Sequence, residues 1–464
     1  MKHRIGFSAL ALVAASISLV SPVVAQEDYS TWAHTEFIKV NTAATGGGAG
    51  VATTITGFPV LVRLTAAQAT VFAQSKAGGA DVRFRRIGGP VLPYQIERWD
   101  SAGKAAEIWV RLDSVYASNS TQTFNMYWGK STAVDSSNSA SVFRVADAFQ
   151  GVWHFGGNLN DATSNGITGT PTGTTDATGA IGRGRFFDGS SSISLGNPAG
   201  MNLQNPFTIE AWVKWESIGT GSVDRYRPII SHGSGAAGGE FFIHAKNASG
   251  ADAPYYSFGH YPNPTNAAET VPGDYAADAN TWVHLGALFD GSSWLLYRNG
   301  ALVATTSLVG TVLNATTPWY IGAFGTNTVT RWNLGSLDEI RFSSTLRSPA
   351  WLKLAYETQK AGVTAVVFGT PTALRDAGGS QAESFGVAAS NGSVTFALPV
   401  GSGRALVTVS DMRGKVLWSR ETSLGSSLTW SAKGLTAGTY AARVSIKDGS
   451  QAGRSFQKQF TFSR

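Results

Sequence analysis

The chain has no cysteine among its 464 residues. This absence excludes disulfides, thiolate nucleophiles and cysteine-ligated zinc sites. Charged residues are also scarce, at 14%, whereas hydrophobic residues make up 43%. So low a charge content argues against intrinsic disorder and against coiled coils. Because 54 residues are glycine, the composition favours a turn-rich, all-β globular protein of two to four domains.

The main part of the chain has no excess of positive charge. The formal net charge is +6, but residues 371–464 hold 11 basic and 5 acidic side chains, whereas residues 27–370 hold 23 and 25. A nucleic-acid-binding protein concentrates lysine and arginine on its main domains. We therefore predict no nucleic-acid partner.

The N-terminus has the pattern of a secretory signal peptide, which we assign to residues 1–25. Basic residues at positions 2–4 precede an apolar stretch over 5–20, and small residues at 23–25 supply a cleavage site. A membrane anchor is the alternative, but serines and Pro22 interrupt the apolar stretch. No later run reaches 18 apolar residues, so we predict no transmembrane segment in the mature chain. We expect a protein that is secreted or held at the outer cell surface.

Residues 26–148 are predicted to form an N-terminal β-sandwich, because short runs alternate between apolar and polar residues and end at Gly, Pro, Asn or Ser. This region resembles the bacterial domain of unknown function 2341. The resemblance implies an exported β-domain without established chemistry. The residues that carry it are Trp32, Phe58-Pro59-Val60-Leu61, Asp81-Val82-Arg83-Phe84, Leu92-Pro93-Tyr94, Glu97, Trp99, Ile108-Trp109-Val110 and Met126-Tyr127-Trp128-Gly129.

Residues 149–360 are predicted to form a second, central β-domain. Asp290-Gly291 and Asn299-Gly300 lie between apolar runs, and these dipeptides supply the positive φ of tight turns, so we expect two successive hairpins. The region resembles the laminin-G-like, concanavalin A-type jelly roll. The residues that carry the resemblance are Val152-Trp153-His154-Phe155, Leu159-Asn160-Asp161, Ser164-Asn165-Gly166, Phe186-Phe187-Asp188-Gly189, Phe207 to Val213, Trp282-Val283-His284, Leu296 to Gly300, Tyr320-Ile321-Gly322 and Gly335 to Arg341.

The C-terminal part is predicted to be a linker over 361–382 followed by a small immunoglobulin-like β-sandwich over 383–464. The linker is rich in Pro, Thr and Gly, and about seven short strands follow it. The stretches 409–415 and 434–440 are similar to C-terminal sorting domains of the type IX secretion pathway. This resemblance implies the outer-membrane secretion machinery as a partner. A sandwich that acts only as a spacer is the alternative.

We predict that the protein is not an enzyme. Glycoside hydrolases need two carboxyl groups about 5 to 10 Å apart. Glu210 and Glu216 lie roughly 20 Å apart in a strand, and the adjacent Asp338 and Glu339 would point to opposite faces of a regular strand. A catalytic pair could still be assembled from distant loops. The seven histidines show no metal-binding spacing and are interpreted as structural.

A structural calcium ion is the expected cofactor. Leu337, Ile340 and Phe342 are all apolar, which breaks the alternation at Asp338-Glu339 and predicts a β-bulge that would redirect a carboxylate. Asp161 and Asp338 resemble the cation ligands of the jelly-roll family, and calcium prefers such hard oxygen ligands. The alternative is that both aspartates cap turns.

Carbohydrate is the predicted ligand. Most of the 14 tryptophans fall in strands and are expected in the core. Tyr255, Tyr256, Tyr261 and Trp332 lie among Pro, Asn and Gly, where binding residues concentrate, although they could instead pin a loop. Our hypothesis is a non-catalytic protein whose jelly roll binds a polysaccharide or cell-surface glycan. The alternatives are an envelope-assembly protein that contacts only proteins, and a glycoside hydrolase.

Overall fold

The computed structural model describes residues 27–369, 372–373 and 385–462. Gaps in the description fall at 87–88, 202–204, 222–223, 234–239, 262–265, 311, 313–315, 325–330, 391, 399–402, 412–414, 433 and 449–454. The predicted signal peptide and half of the predicted linker lie outside these residues. The chain forms two compact units, residues 1–374 and 375–464. No helix among the described residues is long and apolar enough to cross a membrane.

The first unit is built from strands with three short α-helices. Its N-terminal elements are β1 (His34–Val40), β2 (Ile55–Leu64), α1 (Ala69–Gln74), β3 (Arg83–Arg86), β4 (Val91–Leu92), β5 (Tyr94–Asp100), β6 (Ala105–Val115), β7 (Gln122–Trp128) and α2 (Ser139–Val142). The central elements are β8 (Phe149–Trp153), β9 (Thr170–Thr172), β10 (Thr175–Thr178), β11 (Arg183–Asp188), β12 (Ser192–Gly196), β13 (Phe207–Trp215), β14 (Tyr226–His232), β15 (Glu240–Asn247), β16 (Pro254–Tyr261), β17 (Ala267–Glu269), β18 (Val283–Phe289), β19 (Ser293–Arg298), β20 (Ala301–Ser307), β21 (Trp319–Ile321), β22 (Leu334–Ser343) and α3 (Pro349–Gln359). The unit ends with β23 (Val366–Phe368) and β24 (Thr372–Ala373). Short 3-10 helices lie at Tyr29–Thr31, Ala66–Gln68, Ala77–Gly79, Val145–Asp147 and Ala276–Asp278.

The N-terminal region is a two-sheet sandwich that the chain leaves and later re-enters. One sheet has the order β2-β6-β5, and the other has β23-β1-β7-β3-β4 with β24 also paired to β1. The central region is therefore inserted between β7 and β23. The linker predicted over 361–382 is wrong in part, because β23 and β24 lie within it. Ala365 and Val366 are buried there and extend the apolar core.

The central region is a jelly roll of two antiparallel sheets. The eight-stranded sheet has the order β10-β11-β22-β13-β18-β19-β20 with β8 paired to β22, and the seven-stranded sheet has β17-β16-β15-β14-β21-β12-β9. Large apolar side chains fill the space between them, including Trp153, Phe207, Phe258, Trp294 and Trp319. The all-β jelly roll predicted from the sequence is confirmed.

Both predicted hairpins are confirmed. β18 pairs with β19 across Asp290-Gly291, and β19 pairs with β20 across Asn299-Gly300. Asn299 and Gly300 have φ of 50° and 77°, and Gly291 has φ of 96°. Asp290 also caps its turn by accepting hydrogen bonds from the backbone N–H groups of Ser292 and Ser293.

The N-terminal sandwich and the jelly roll share one hydrophobic core. The eight-stranded sheet contributes Trp212 and Leu288 from its outer face, and α3 contributes Trp351. The Trp351 ring lies 4.8 Å from the ring of Phe58 on β2. The two regions belong to one compact unit.

The second unit is a small two-sheet sandwich. Its strands are β25 (Gly386–Ser390), β26 (Ser393–Ala397), β27 (Arg404–Ser410), β28 (Val416–Ser423), β29 (Ser427–Ser431), β30 (Gly438–Ile446) and β31 (Ser455–Phe462). The sheet orders are β25-β26-β29 and β28-β27-β30-β31. Val394, Phe396, Val407 and Val444 are fully buried between the sheets.

Candidate functional site

Two groups of polar side chains in the first unit stand out. The junction cluster lies where the N-terminal sandwich meets the jelly roll and consists of Glu97, His154, Asp338, Glu339 and Arg341. The tyrosine-cation face lies on the outer side of the seven-stranded sheet and consists of Arg225, Tyr226, Lys246, Tyr255 and Arg331.

The junction cluster depends on a bulge in β22. Glu210 of β13 lies opposite Arg341 and Trp212 lies opposite Asp338, so two residues of β22 face a single residue of β13. Glu339 has φ of 50°, a left-handed conformation that is uncommon for a non-glycine residue. The predicted bulge is confirmed. Asp338 and Glu339 are both buried as a result.

Hydrogen bonds tie the junction cluster together across the two regions. The Nδ1 atom of His154 lies 2.5 Å from Oε1 of Glu339 and 3.7 Å from Oε2 of Glu97. Trp109 donates from Nε1 to Oε2 of Glu97 over 2.8 Å, and Arg341 donates to Oε2 of Glu339 over 2.6 Å. The Arg341 guanidinium also lies 4.3 Å from the centre of the Trp109 ring.

The carboxyl groups of the junction cluster differ in their affinity for a proton. Burial raises the pKa of Glu97 well above its usual value, and the charges of Glu339 and Asp338 raise it further. Burial and Glu339 likewise raise the pKa of Asp338. Burial also acts to raise the pKa of Glu339, but the charges of His154 and Arg341 outweigh it and lower that pKa to about 2. Glu339 is therefore the ionised member of the cluster at neutral pH.

A small polar cavity opens beside Glu97 and His154. Its volume is about 190 Å³, and its other lining residues are Gln95, Ser139, Gly156, Asn158, Asn160, Asp161 and Ala162. Ligand pockets have volumes of about 300 to 1,000 Å³, so this cavity suits water or an ion better than a sugar chain. Sequence analysis missed the cluster because Glu97 and Glu339 come from different domains; the broken alternation at 338–339 was its one signal.

The two predicted calcium ligands each cap backbone groups. Asp161 accepts from the backbone N–H of Val152 over 3.0 Å and of Thr163 over 2.8 Å. Asp338 accepts from the backbone N–H of Ile181 over 2.8 Å. Within the described part of the chain, the group of three or more side chains that could hold a metal ion is Glu97, His154 and Glu339. The calcium site at Asp161 and Asp338 stays a prediction.

The tyrosine-cation face is a row across three neighbouring strands. Tyr226 of β14 pairs with Lys246 of β15, which pairs with Tyr255 of β16. The guanidinium groups of Arg331 and Arg225 lie 4.2 Å and 4.6 Å from the centre of the Tyr226 ring. The Lys246 ammonium lies 4.8 Å from the Tyr255 ring and 2.6 Å from Glu269. Neither arginine forms an ion pair with a carboxylate among the described residues.

A buried histidine lies beneath this face. His244 is 2% exposed and stacks 4.6 Å from Phe242, with the Tyr226 ring 5.2 Å away. Neither of its ring nitrogens has a hydrogen-bond partner within the part of the chain that the structure describes. Burial, together with the charges of Lys246 and nearby arginines, lowers the pKa of His244 well below its usual value. The imidazole is therefore neutral at physiological pH.

The structure separates the four predicted ligand-binding residues. Tyr255 lies on the tyrosine-cation face and is 8% exposed. Tyr256 is 1% exposed, because neighbours in a strand face opposite ways, and its hydroxyl donates to Asp278 in the core. Tyr261 ends β16, but its side chain lies outside the description. Trp332 is half-buried, and its backbone bridges to Ala323.

Sequence analysis missed the three residues that give the face its character, Arg225, Tyr226 and Arg331. The run Arg225-Tyr226-Arg227, where β14 begins, is the signal that could have found two of them. Two charged residues that flank an aromatic residue are unusual in a core, since charged residues are seldom fully buried. Arg331 carries no such signal, since it reaches Tyr226 from a different part of the chain.

Two family models match the chain. Residues 187–353 match "Concanavalin A-like lectin/glucanases superfamily", and residues 78–156 match "Domain of unknown function (DUF2341)". These matches confirm two of the resemblances noted in the sequence, to the domain of unknown function 2341 and to the concanavalin A-type jelly roll, and they confirm the order of the two domains along the chain. A search of curated proteins finds no match.

Several solved structures are similar over part of the chain. Domain 4 of AbnA, a GH43 extracellular arabinanase from Geobacillus stearothermophilus in complex with arabinotriose, is 20% identical over 45% of this chain and 98% of that one, with a TM-score of 0.34. The binding domain of Paraclostridial Mosquitocidal Protein 1 is 14% identical over 46% of this chain and 53% of that one, with a TM-score of 0.36. The Trypanosoma rangeli sialidase in complex with 2,3-difluoro-KDN is 10% identical over 55% and 42%, with a TM-score of 0.36. The chain thus spans about half the length of the last two proteins.

Proposed function

We propose that this protein is an exported, non-catalytic carbohydrate-binding protein whose jelly roll binds glycan on the tyrosine-cation face. The match of residues 187–353 to the concanavalin A-like lectin and glucanase superfamily supports a binding role for the jelly roll. The observation that carries the proposal is the placement of Arg225 and Arg331 against the Tyr226 ring, with no carboxylate partner for either arginine among the residues described.

The chemistry of this face suits a sugar. Sugar rings present C–H groups that pack on aromatic side chains and hydroxyl oxygens that accept hydrogen bonds. The half-buried Tyr226 ring supplies the aromatic part, and arginine supplies up to five N–H donors in a fixed fork. Because the cations already pack on the tyrosine rings, they lose little freedom when a ligand binds.

The junction cluster supports a non-catalytic role less directly. Glu97 and Glu339 lie close together, as the carboxyl groups of a retaining glycosidase must. Glu339, however, is held by His154 and Arg341, and the adjoining cavity of about 190 Å³ is small for a sugar chain. Substrate could not approach both carboxyl groups without opening the contact between the two regions.

The test is a glycan array probed with the full mature chain, followed by affinity measurements on the best ligand. We expect Arg331→Ala to weaken binding about tenfold or more, because charged hydrogen bonds contribute about 1.5 to 3 kcal/mol. Arg183→Ala is the matched control, since Arg183 is an exposed arginine on the other sheet. Equal affinity of the two variants would place the binding site elsewhere.

Two other outcomes would replace the proposal. If the mature chain binds envelope proteins but no glycan, it is an assembly protein. If labelled polysaccharide is hydrolysed and Glu97→Gln abolishes the release of reducing sugar, the chain is a glycosidase.

A further inference from the structure

We propose that Glu97, His154 and Glu339 bind one divalent transition-metal ion, for which Zn²⁺ is the best match. Glu97 comes from β5, His154 follows β8, and Glu339 lies in the bulge of β22. One nitrogen or oxygen atom from each side chain lies within 4.8 Å of the others. The ion would join the N-terminal sandwich to the jelly roll.

The donor set selects the class of metal. One imidazole nitrogen with two carboxylate oxygens is a combination that zinc accepts, whereas calcium and magnesium prefer oxygen ligands alone. Three protein ligands leave a fourth tetrahedral position for water. The polar cavity beside Glu97 and His154 has room for that water and gives the ion a path from solvent.

Each of the three ligands is held in place by a further group. Nε2 of His154 lies 3.2 Å from Oε1 of Gln95, an arrangement that leaves Nδ1 facing the two carboxyl groups. Trp109 donates to Glu97 and Arg341 donates to Glu339. Outer partners of this kind orient the histidine and carboxylate ligands of metal sites.

An unpaired atom gives an independent reason to place an ion here. Among the described residues, Oε1 of Glu97 finds no hydrogen-bond partner, although the side chain is only 2% exposed. A buried carboxylate oxygen without a partner is costly. Arg341 forms its ion pair with Glu339. A divalent cation would give the Glu97 carboxyl group a charged partner as well.

The change in geometry on binding is small. Tetrahedral zinc ligands lie roughly 3.3 Å from one another when each is about 2.0 to 2.1 Å from the ion. His154 Nδ1 and Glu97 Oε2 are already 3.7 Å apart, whereas Nδ1 and Glu339 Oε1 are 2.5 Å apart and must separate by less than 1 Å. The ion would replace the hydrogen bond between that second pair, and metal ligands bind in their deprotonated forms. Binding should therefore release protons and strengthen as the pH rises.

The experiment uses the full mature chain, treated with chelator and then titrated with ZnCl₂. We expect one zinc per chain by elemental analysis, a higher melting temperature, and affinity that increases from about pH 6 to about pH 8. Glu97→Gln keeps an acceptor for Trp109 and should weaken zinc binding tenfold or more. Glu36→Gln, which neutralises a buried carboxyl group in a different sheet, should leave zinc affinity unchanged.

Two results would overturn the site. One is failure of the wild-type chain to retain zinc after dialysis, and the other is equal zinc affinity of the wild type and Glu97→Gln. Cobalt provides a measurement that needs no variant, because Co²⁺ in a four-coordinate site absorbs strongly in the visible range. A wild-type cobalt spectrum typical of six-coordinate, hydrated ion would also contradict the proposal.

Discussion

Glu36 shows at the scale of one residue how burial makes stability depend on pH. It lies on β1 and is 2% exposed, and no described residue forms a hydrogen bond with its Oε2 atom. Burial raises the pKa of Glu36 to about 7. Because the folded state prefers the protonated form, this carboxyl group does not oppose folding below its usual pKa of 4.5, and it destabilises the fold as the pH rises towards about 7.

We expect Glu36→Gln to stabilise the protein at alkaline pH alone. The melting temperature should rise by on the order of 2 °C at about pH 8 and stay unchanged at about pH 4. Thermal unfolding followed by circular dichroism at both pH values measures this difference. A shift of equal size at both pH values would mean that the effect comes from packing and not from ionisation.

The turn between β19 and β20 packs against α3. Gly300 has φ of 77°, and a Cβ atom there would lie 2.9 Å from Cα of Lys353 and 3.3 Å from the carbonyl oxygen of Leu352, both in α3. Gly291 has φ of 96° in the neighbouring turn, but a Cβ atom there would meet only Pro206 at 3.9 Å. An alanine at either position would therefore have a strained backbone. At Gly300 its Cβ atom would also clash with α3.

Substituting both glycines by alanine separates these two effects. Gly291→Ala should lower the free energy of unfolding by about 1 to 2 kcal/mol, because a residue other than glycine is strained in the left-handed conformation. Gly300→Ala should cost about 2 to 4 kcal/mol, because α3 must also move. Urea unfolding of the two variants measures the difference. If both variants lost the same free energy of unfolding, contact between α3 and the turn would contribute nothing to the effect.

Local patterns predicted the elements better than they predicted the site. The turns at Asn299-Gly300 and the bulge at Glu339 follow from short-range rules, and both are confirmed. The face of β16 was not predictable from its aromatic run, because a shift of one residue exchanges Tyr255 and Tyr256 between surface and core. The junction cluster unites side chains from two regions, and no local pattern encodes such a contact.

At the scale of the whole molecule, the jelly roll depends on the N-terminal sandwich. Trp212 lies on its outer face and is 3% exposed because α3 covers it: the Trp212 ring lies 6.0 Å from the ring of Tyr356, and its Nε1 donates to Gln359. α3 in turn packs on the sandwich, where the Trp351 ring lies 4.8 Å from the ring of Phe58. Burying a side chain of this size contributes about 1.5 to 3 kcal/mol. Removing the sandwich would expose the face of α3 that carries Trp351.

A fragment of residues 149–360 should therefore aggregate or unfold at a lower temperature than a fragment of residues 27–374. The longer fragment should unfold in a single transition, because its two regions share a core. Calorimetry and size-exclusion chromatography of both fragments test this expectation. A soluble, cooperatively folded short fragment would contradict it.

The second unit is the part that we propose takes the chain to the outer surface. Deleting residues 371–464 should leave glycan affinity unchanged and cause the truncated protein to accumulate in the periplasm. Because this deletion also removes β24, a matched variant that lacks only residues 385–464 controls for damage to the first unit. Normal amounts of either truncated protein at the surface or in the medium would exclude the sorting role.

The insertion of the jelly roll also dictates an order of events during synthesis. Ile38 of β1 pairs with Phe368 of β23, roughly 330 residues later. While the nascent chain grows, β1 can pair with β7 on one side, but its other edge stays open until β23 emerges. An open edge can pair with another chain, and contacts this distant form slowly. The protein should therefore need a chaperone until its last strands arrive, and a translation pause inside the jelly roll should favour aggregation over folding.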